Sequence, residues 1–311
     1  MSGDAAGAGG PAGVGWSDAD VRSALGLPPR AGAGPAAFSG ITTDSRAVTP
    51  GALFVALAGE RFDGHDYLAA AAASGARGAV VRQGTAPVAG LTLFEVADTL
   101  VALGDLARAR RRTITGPVVA VTGTNGKTST KEMLAAVLGT RYHVHATRAN
   151  LNNLIGVPLT ILEAPPETDA LVVEAGASVP GEIARARQVI EPDIAVVTNA
   201  VAGHLEGFGS LASVIAEKLS LTDGVALAVV GPEPPELAAG ARPRARAVRT
   251  AGLERADLVP ESAVLGADAR PVVSIGGQRF TLAARGLHQA DNAVRVWAVV
   301  EALGLEGRAA A

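Results

Sequence analysis

The chain has 311 residues, a formal charge of −3, 48% hydrophobic but only 3% aromatic residues, 38 glycines, 18 prolines and no cysteine. That length suggests about two domains with cores of Ala, Val and Leu; the missing thiols exclude disulfides and thiolate metal sites, and the slight negative charge argues against a general nucleic-acid binder. The N-terminus has no basic segment followed by an apolar stretch, and no apolar run is long enough for a bilayer, so neither secretion nor membrane insertion is expected and the cytoplasm is the expected compartment.

Residues 1–15 are nearly all Gly, Ala and Ser and are expected to form a disordered tail. A short helix is predicted over 16–25 with Ser17 as its N-cap, then a Pro/Gly/Ala loop over 28–37. Strands are expected over 38–43 and 53–57, an alanine-rich helix over 67–74 ended by Gly75, and strands over 79–82 and 92–96. A helix over 99–112 ends in Arg108, Arg110, Arg111 and Arg112, read as cations facing the helix dipole from a solvated face. The first domain, 16–112, is therefore a small α/β unit.

From residue 113 the pattern changes. Apolar runs at 118–122, 170–173, 194–198 and 225–230 are separated mostly by helical stretches, the mark of a mostly parallel sheet with helices on both faces. Between the last two runs, a helix over 210–222 carries Leu211, Val214, Ile215 and Leu219 on its inward stripe. Runs at 272–275 and 279–282 flank Gly276-Gly277 and read as a hairpin. Arg242, Arg244, Arg246 and Arg249 read as a solvated face, and His143 and His145 as surface or packing histidines. A last helix is predicted over 288–303, with Val296, Val300 and Leu303 along one side. The fold class is thus α/β, with a P-loop-type domain over 113–311.

The chemistry concentrates where the run Val-Val-Ala-Val-Thr (118–122) meets Gly123, Thr124, Asn125, Gly126, Lys127, Thr128 and Ser129. Glycines let backbone N–H groups turn inward, a helix N-terminus faces the anion, and Lys127 adds a mobile positive charge, which together hold phosphates. Thr128 can offer its hydroxyl to Mg²⁺. The common G-x-x-x-x-G-K-[ST] loop would place glycine at Val121, whereas the first glycine here is Gly123. Ligands of open parallel sheets bind beyond the strand carboxyl ends, where Glu174 and Asn199 also fall. Glu174 reads either as an ordinary loop carboxylate or as a magnesium ligand. Lys218 follows Val214 by four residues and Ile215 by three, so it shares the inward stripe. Two readings stand for it: a snorkelling edge lysine, or a partly desolvated amine of lowered pKa able to add CO₂ as a carbamate.

Thr122-Gly-Thr-Asn-Gly-Lys-Thr128 resembles the loop of the Mur ligase superfamily, whose members use ATP to join a carboxylate to an amine. His204-Leu-Glu-Gly-Phe-Gly-Ser210 with Lys218 resembles the branch that adds D-alanyl-D-alanine. Thr43-Asp-Ser-Arg46, Pro50-Gly-Ala-Leu-Phe-Val-Ala-Leu57 and Gly59-Glu-Arg-Phe-Asp-Gly-His-Asp66 resemble its N-terminal domain, which holds the UDP part of the substrate. Asn150-Leu-Asn-Asn-Leu-Ile-Gly-Val-Pro-Leu-Thr160 resembles its muramyl-substrate loop, and Gly286-Leu-His288 with Asn292 its adenine-side motif.

The resemblance spans about 16–303 and implies these roles. Gly126, Lys127 and Thr128 hold ATP phosphates and Mg²⁺, Asn199 lies by the nucleotide, and Asn292 faces adenine. Glu174 and His204 are magnesium ligands, the histidine directly or through water, and Lys218, as a carbamate, serves a second magnesium. Ser45, Arg46 and His65 approach UDP, while Asn152 and Asn153 approach the muramyl part. The implied partners are a UDP-N-acetylmuramoyl-peptide and D-alanyl-D-alanine, joined through an acyl phosphate in peptidoglycan precursor synthesis. Ala149 stands where the family usually has glycine, and Gln289 where asparagine is common. The family normally continues into a C-terminal ligase domain, so the chain is expected to be a truncated form lacking it. Alternatives are a sister Mur ligase, a folylpolyglutamate synthase-like ligase, and a non-catalytic module that binds a nucleotide or UDP-sugar.

Overall fold

The computed structural model describes residues 14–30, 37–59, 62–201 and 208–305. The expected 1–15 tail falls almost wholly outside this range, as does His204. The chain divides into two compact units, one of residues up to 109 with 162–167, the other of 110–161 with 168 onward.

In the first unit, β1 (Trp16–Ser17) leads into α1 (Asp18–Ala24), and Ser17 caps that helix in a reciprocal box with Asp20. β1 pairs antiparallel with β2 (Ala37–Phe38). A four-stranded parallel sheet follows, in the order β3 (Ile41–Thr42), β4 (Leu53–Val55), β5 (Gly78–Arg82), β6 (Thr92–Val96). The strand expected over 38–43 is therefore two short strands, separated by a bend at Ser39 and by Gly40. A 3₁₀ turn, Gly64–Tyr67, precedes α2 (Leu68–Ala73), whose Leu68 and Ala71 pack with Phe54, Ala79 and Val81. Phe38 and Phe94 meet edge to face at 5.7 Å. α3 (Thr99–Arg111) closes this part of the chain.

The second unit is a six-stranded, wholly parallel sheet. Its strands are β7 (Val118–Thr122), β8 (Val144–Ala146), β9 (Ala170–Glu174), β10 (Ile194–Val197), β11 (Leu227–Val230) and β12 (Ala247–Thr250), in the spatial order 12-11-10-7-9-8. After β7 the chain runs out to the edge strand β8 and back to β9; from β10 onward it builds on β7's other side. The order therefore reverses at β7, and the crevice beyond its carboxyl end is where such sheets bind ligands. β7, β9 and β10 are buried at every residue, as their continuous apolar runs require.

The helices of this unit are α4 (Lys127–Leu138), α5 (Gly156–Leu162), α6 (Glu182–Ile190), α7 (Leu211–Leu219), α8 (Glu236–Ala241) and α9 (Leu287–Ala302). Leu134, Val137 and Leu138 of α4 join Val294, Trp297 and Ala298 of α9 in one core cluster with Val119, Val121, Val172 and Val196 of the sheet.

A three-stranded antiparallel sheet of β13 (Ser262–Leu265), β14 (Pro271–Ile275) and β15 (Gln278–Thr281) contains the predicted hairpin. Ile275 pairs with Gln278, and the two loop residues Gly276 and Gly277 have φ +58° and +73°, the conformation of a type I′ turn. Phe280 stacks on Trp297 at 6.1 Å.

The arginine-rich segments are not simply solvated faces. Arg110 is buried, and Arg111 donates to the carbonyls of Ile190 and Glu191 and to Asp193, satisfying the carboxyl end of α6. Arg112 pairs with Glu191 at 2.6 Å, Arg244 with Asp223 at 2.7 Å and Arg249 with Glu301 at 2.6 Å, while Arg242 and Arg246 are exposed. His143 is exposed and His145 buried in β8.

The hairpin turn gives a direct test. A Cβ on Gly276 would sit 2.7 Å from Trp297 Cζ2, whereas a Cβ on Gly277 meets nothing within 4 Å. Gly277→Ala therefore costs only left-handed strain, about 1–2 kcal/mol. Gly276→Ala adds overpacking and is expected to cost about 2–4 kcal/mol in denaturant unfolding. Equal losses in the two variants would refute the Trp297 contact.

Candidate functional site

The loop after β7 needs its glycines for space as well as for backbone angle. Gly123 has φ +147° and a Cβ there would fall 1.9 Å from Thr198 Oγ1; Gly126 has φ +80° and its Cβ would fall 2.6 Å from Asn292 Oδ1. Thr198 and Asn199, just past β10, clamp the loop. Thr198 Oγ1 donates to the Asn125 carbonyl at 2.6 Å, Asn125 N–H donates to Asn199 Oδ1 at 3.0 Å, and Thr124 N–H donates to the Asn199 carbonyl at 3.1 Å. Gly126 is the N-cap of α4, so the helix starts at Lys127 with its first N–H groups and its positive dipole end at the loop.

Lys127 Nζ donates to the carbonyls of Gly123 and Thr124, both at 3.0 Å. Burial lowers its pKa, and the charge of Glu174 works against that shift. Ser129 lies half-buried in the first turn of α4 and makes no side-chain hydrogen bond among the described residues.

Glu174 is the last residue of β9, level with Val121 of β7, and is 2% exposed. Its carboxylate accepts Thr128 Oγ1 at 2.9 Å and Asn152 Nδ2 at 2.8 Å, while its own N–H donates to Thr147 Oγ1 at 2.9 Å. Residues separated by 46 and 22 positions are thus joined through one side chain. The sequence position put it beyond the strand; the parallel register keeps it within the strand, which fixes its backbone.

Asn152 and Asn153 reach this place from the loop after β8. That loop turns at Ala149, whose φ of +47° is a left-handed angle that glycine adopts more easily. Asn153 also accepts the N–H groups of Ile155 and Gly156, capping α5. Gly123, Thr124, Lys127, Asn152, Asn153 and Lys218 all line one cavity of about 290 Å³, with Ser178 and Glu182 on its wall.

Lys218 is 4% exposed on α7. Burial, and then the like charge of Lys127, push its pKa down to about 8, against the pull of Glu217 and Glu182. This favours the desolvated-amine reading over the snorkelling one. Its neighbour Glu217 accepts Gly181 N–H at 2.7 Å and Ile183 N–H at 2.8 Å, and Glu182 accepts Ser178 N–H at 2.6 Å. Two carboxylates therefore hold the cavity wall at the start of α6.

Asn292 of α9 is buried against Gly126 and bonds weakly to Gln289 Oε1 at 3.4 Å, while Arg295 makes a close pair with Asp291 at 2.6 Å. Ser45, Arg46 and His65 belong to the first unit. Ser45 sits half-buried in a turn, and Arg46 is exposed and pairs with Asp44, whose carboxyl that hydrogen bond draws down to about 2. Both nitrogens of His65 are engaged: Nε2 accepts Arg82 N–H at 3.0 Å, which puts the proton on Nδ1, 2.5 Å from Asp63 Oδ1.

Sequence reasoning missed Thr198, Thr147, Lys131, Glu182 and Glu217. The only available signal for Thr198 was a hydroxyl closing an apolar run. Lys131, Thr147 and Glu217 act through backbone groups 16 to 36 positions away, and Glu182 through the backbone just before its own helix. Among the described residues no group of three His, Cys, Asp or Glu side chains is placed to hold a metal, and no helix is long and apolar enough to cross a membrane.

A reversed parallel sheet, with a lysine-bearing glycine loop and a buried carboxylate beyond its central strand, defines a P-loop-type α/β protein. Residues 121–300 match the Mur ligase middle domain, and residues 37–111 match the Mur ligase family, catalytic domain. The chain belongs to the Mur ligase family. It is 48% identical over 186 residues to the UDP-N-acetylmuramoyl-tripeptide–D-alanyl-D-alanine ligase of Escherichia coli, covering 60% of this chain and 40% of that one. Identity to the ligase of the same name from Synechocystis is 36% over 279 residues, or 86% of this chain and 59% of that one. The chain thus spans about 40–59% of the length of these relatives. Among solved structures, MurF from Acinetobacter baumannii superposes with a TM-score of 0.85 at 29% identity, covering 96% of this chain and 67% of that one. MurF from Thermotoga maritima in complex with ADP gives 0.76 at 30% identity, covering 86% and 63%.

The lowered pKa of Lys218 sets a pH signature. Between about 8 and the ordinary lysine value of 10.5 the unfolded chain holds a proton that the folded chain has released. Stability therefore rises with pH through that window, and the burial penalty is present in full below about 8. Lys218→Met is expected to raise Tm at pH 7 by relieving a penalty of up to roughly 3 kcal/mol, with a gain that shrinks between pH 8 and 10. A gain that stays constant across that range would contradict the assignment.

Proposed function

We propose that the chain is the substrate-binding and ATP-binding part of a ligase that adds D-alanyl-D-alanine to a UDP-N-acetylmuramoyl-tripeptide in peptidoglycan precursor synthesis. The observation that carries this reading is the junction of Glu174, Thr128 and Asn152 beside the lysine-bearing loop. A Mur ligase core needs its nucleotide, its metal and its acceptor at one point, and this junction joins the three segments assigned to them. The names of the relatives in Escherichia coli and Synechocystis support the particular substrate pair, and the ADP complex of the Thermotoga maritima protein supports the nucleotide.

ATP supplies the phosphoryl group that activates the acceptor's terminal carboxylate as an acyl phosphate, with ADP as the leaving group, and the amine of D-alanyl-D-alanine then attacks that acyl carbonyl and releases phosphate. The phosphates belong on the N–H groups of Gly126 to Thr128 and on the Lys127 ammonium, which trades two loop carbonyls for phosphate oxygens. Asn199 holds the loop in shape, and Asn292 packs behind Gly126 on the adenine side.

Magnesium fits the donor set. Thr128 Oγ1 and Glu174 Oε2 are hard oxygens 2.9 Å apart at the start of α4, and Mg²⁺ is bound through few protein oxygens together with phosphate and water. His204 completes the proposed ligand set. Lys218 faces the same cavity, and its neutral amine adds CO₂ to give an N-carboxylate and a proton, converting a cation into a metal-binding anion. Asn152 and Asn153 meet the muramyl part, while Ser45, Arg46 and His65 serve the UDP end, with His65 acting by shaping the turn it is locked into.

Calorimetric titration with ATP tests the reading. The chain is expected to bind ATP more tightly with Mg²⁺ than without it, and Lys127→Ala is expected to lower the magnesium-supported affinity at least about tenfold, from the loss of one charge-assisted contact. Failure of the unaltered chain to bind, or unchanged affinity in a folded Lys127→Ala variant, would overturn it.

A further inference from the structure

We infer that Lys131 is a positioning residue that ties the phosphate helix to the acceptor loop and to Glu174. The inference deepens the proposed nucleotide and magnesium reading and rests on it. Lys131 lies one turn beyond Thr128 on α4, at the i+3 spacing that puts both on one face. It is 2% exposed, an unusual burial for a lysine. Its ammonium donates to the Thr147 carbonyl at 2.6 Å and pairs at 2.7 Å with Glu132, which is itself exposed.

Thr147 is the hinge of the arrangement. It is 1% exposed and lies just past β8. Its N–H donates to the Val172 carbonyl, which continues the pairing of β8 with β9, and its hydroxyl accepts Glu174 N–H at 2.9 Å. Lys131 therefore fixes the residue that fixes the backbone of Glu174. Thr147 also opens the 147–155 loop, whose Asn152 returns to the Glu174 carboxylate at 2.8 Å. The resulting ring runs from Thr128 through α4 to Lys131, across to Thr147, and back through Glu174 to Thr128. Both oxygens proposed for the metal belong to this ring, so its closure sets their separation.

An ammonium suits this place because it reaches a main-chain carbonyl from a helix without needing a side-chain partner on the loop. Without it the Thr147 carbonyl loses a short charge-assisted bond, and the polar link between α4 and the loop that remains is the one from Thr128 through Glu174 to Asn152.

The experiment compares Lys131→Met, which keeps the stem and removes the donors, with Thr147→Val, which keeps shape and the main-chain carbonyl but removes the hydroxyl. Glu132→Gln serves as the control, because among the described residues its carboxylate pairs with the ammonium and with no other group. Two quantities are read: the ratio of ATP affinities with and without Mg²⁺, and amide hydrogen exchange at Glu174 and across 147–155. Lys131→Met and Thr147→Val are each expected to cut the affinity ratio about tenfold or more and to speed exchange at Glu174 at least tenfold, while Glu132→Gln changes both less than threefold. The double variant is expected to lose no more than the worse single one, as members of one chain of contacts do. Unchanged exchange at Glu174 in folded Lys131→Met and Thr147→Val chains would overturn the inference, and so would a magnesium ratio unmoved in both variants. If the unaltered chain binds no ATP, the nucleotide reading fails by itself, while hydrogen exchange still decides whether Lys131 holds Glu174.

Discussion

One buried carboxylate holds the site in register. Glu174 is sealed from solvent at the end of a central strand, and its two oxygens take hydrogen bonds from Thr128 of α4 and from Asn152 of the 147–155 loop. A buried carboxylate is costly unless its lone pairs are met. The energetic need to satisfy Glu174 is therefore what brings Thr128 and Asn152 to one point.

The sheet order makes this meeting possible. β7 lies between β9 and β10, and the level pairing of Val121 with Glu174 and of Val197 with Thr122 brings three strand ends to one height. Beyond them, Thr198 and Asn199 grip the glycine loop from one side while Glu174 meets α4 from the other. Gly123 and Gly126 are required by contact as much as by angle, since Thr198 and Asn292 occupy the space a side chain would need. The cavity also holds two lysines whose charges oppose each other, and burial together with the charge of Lys127 draws the pKa of Lys218 down to about 8.

Much of the architecture was legible along the chain, since buried parallel strands are continuous apolar runs and glycines punctuate them. β7 and β6 fall where the runs placed them, and the Gly276-Gly277 turn has the two positive φ angles its hairpin demands. The edge strands β8, β12 and β13 left no such trace. They are three or four residues long and partly exposed, so their pattern is too short to register. The arginine clusters misled for a related reason: a cation facing distant main-chain carbonyls, as Arg111 does, looks in sequence like one facing water.

By itself the amino-acid order determined that a phosphate-type loop would follow a buried strand, that Glu174 and Asn199 would fall at strand ends, and that Lys218 would lie on the inward stripe of its helix. Those features depend on local spacing and local chemistry. Only the tertiary structure decided that Glu174 bonds Thr128 and Asn152, that Thr198 grips the loop, and that Lys131 reaches Thr147. Each of these contacts joins elements whose adjacency is set by strand order and register, and neither quantity is written in the spacing of residues along the chain.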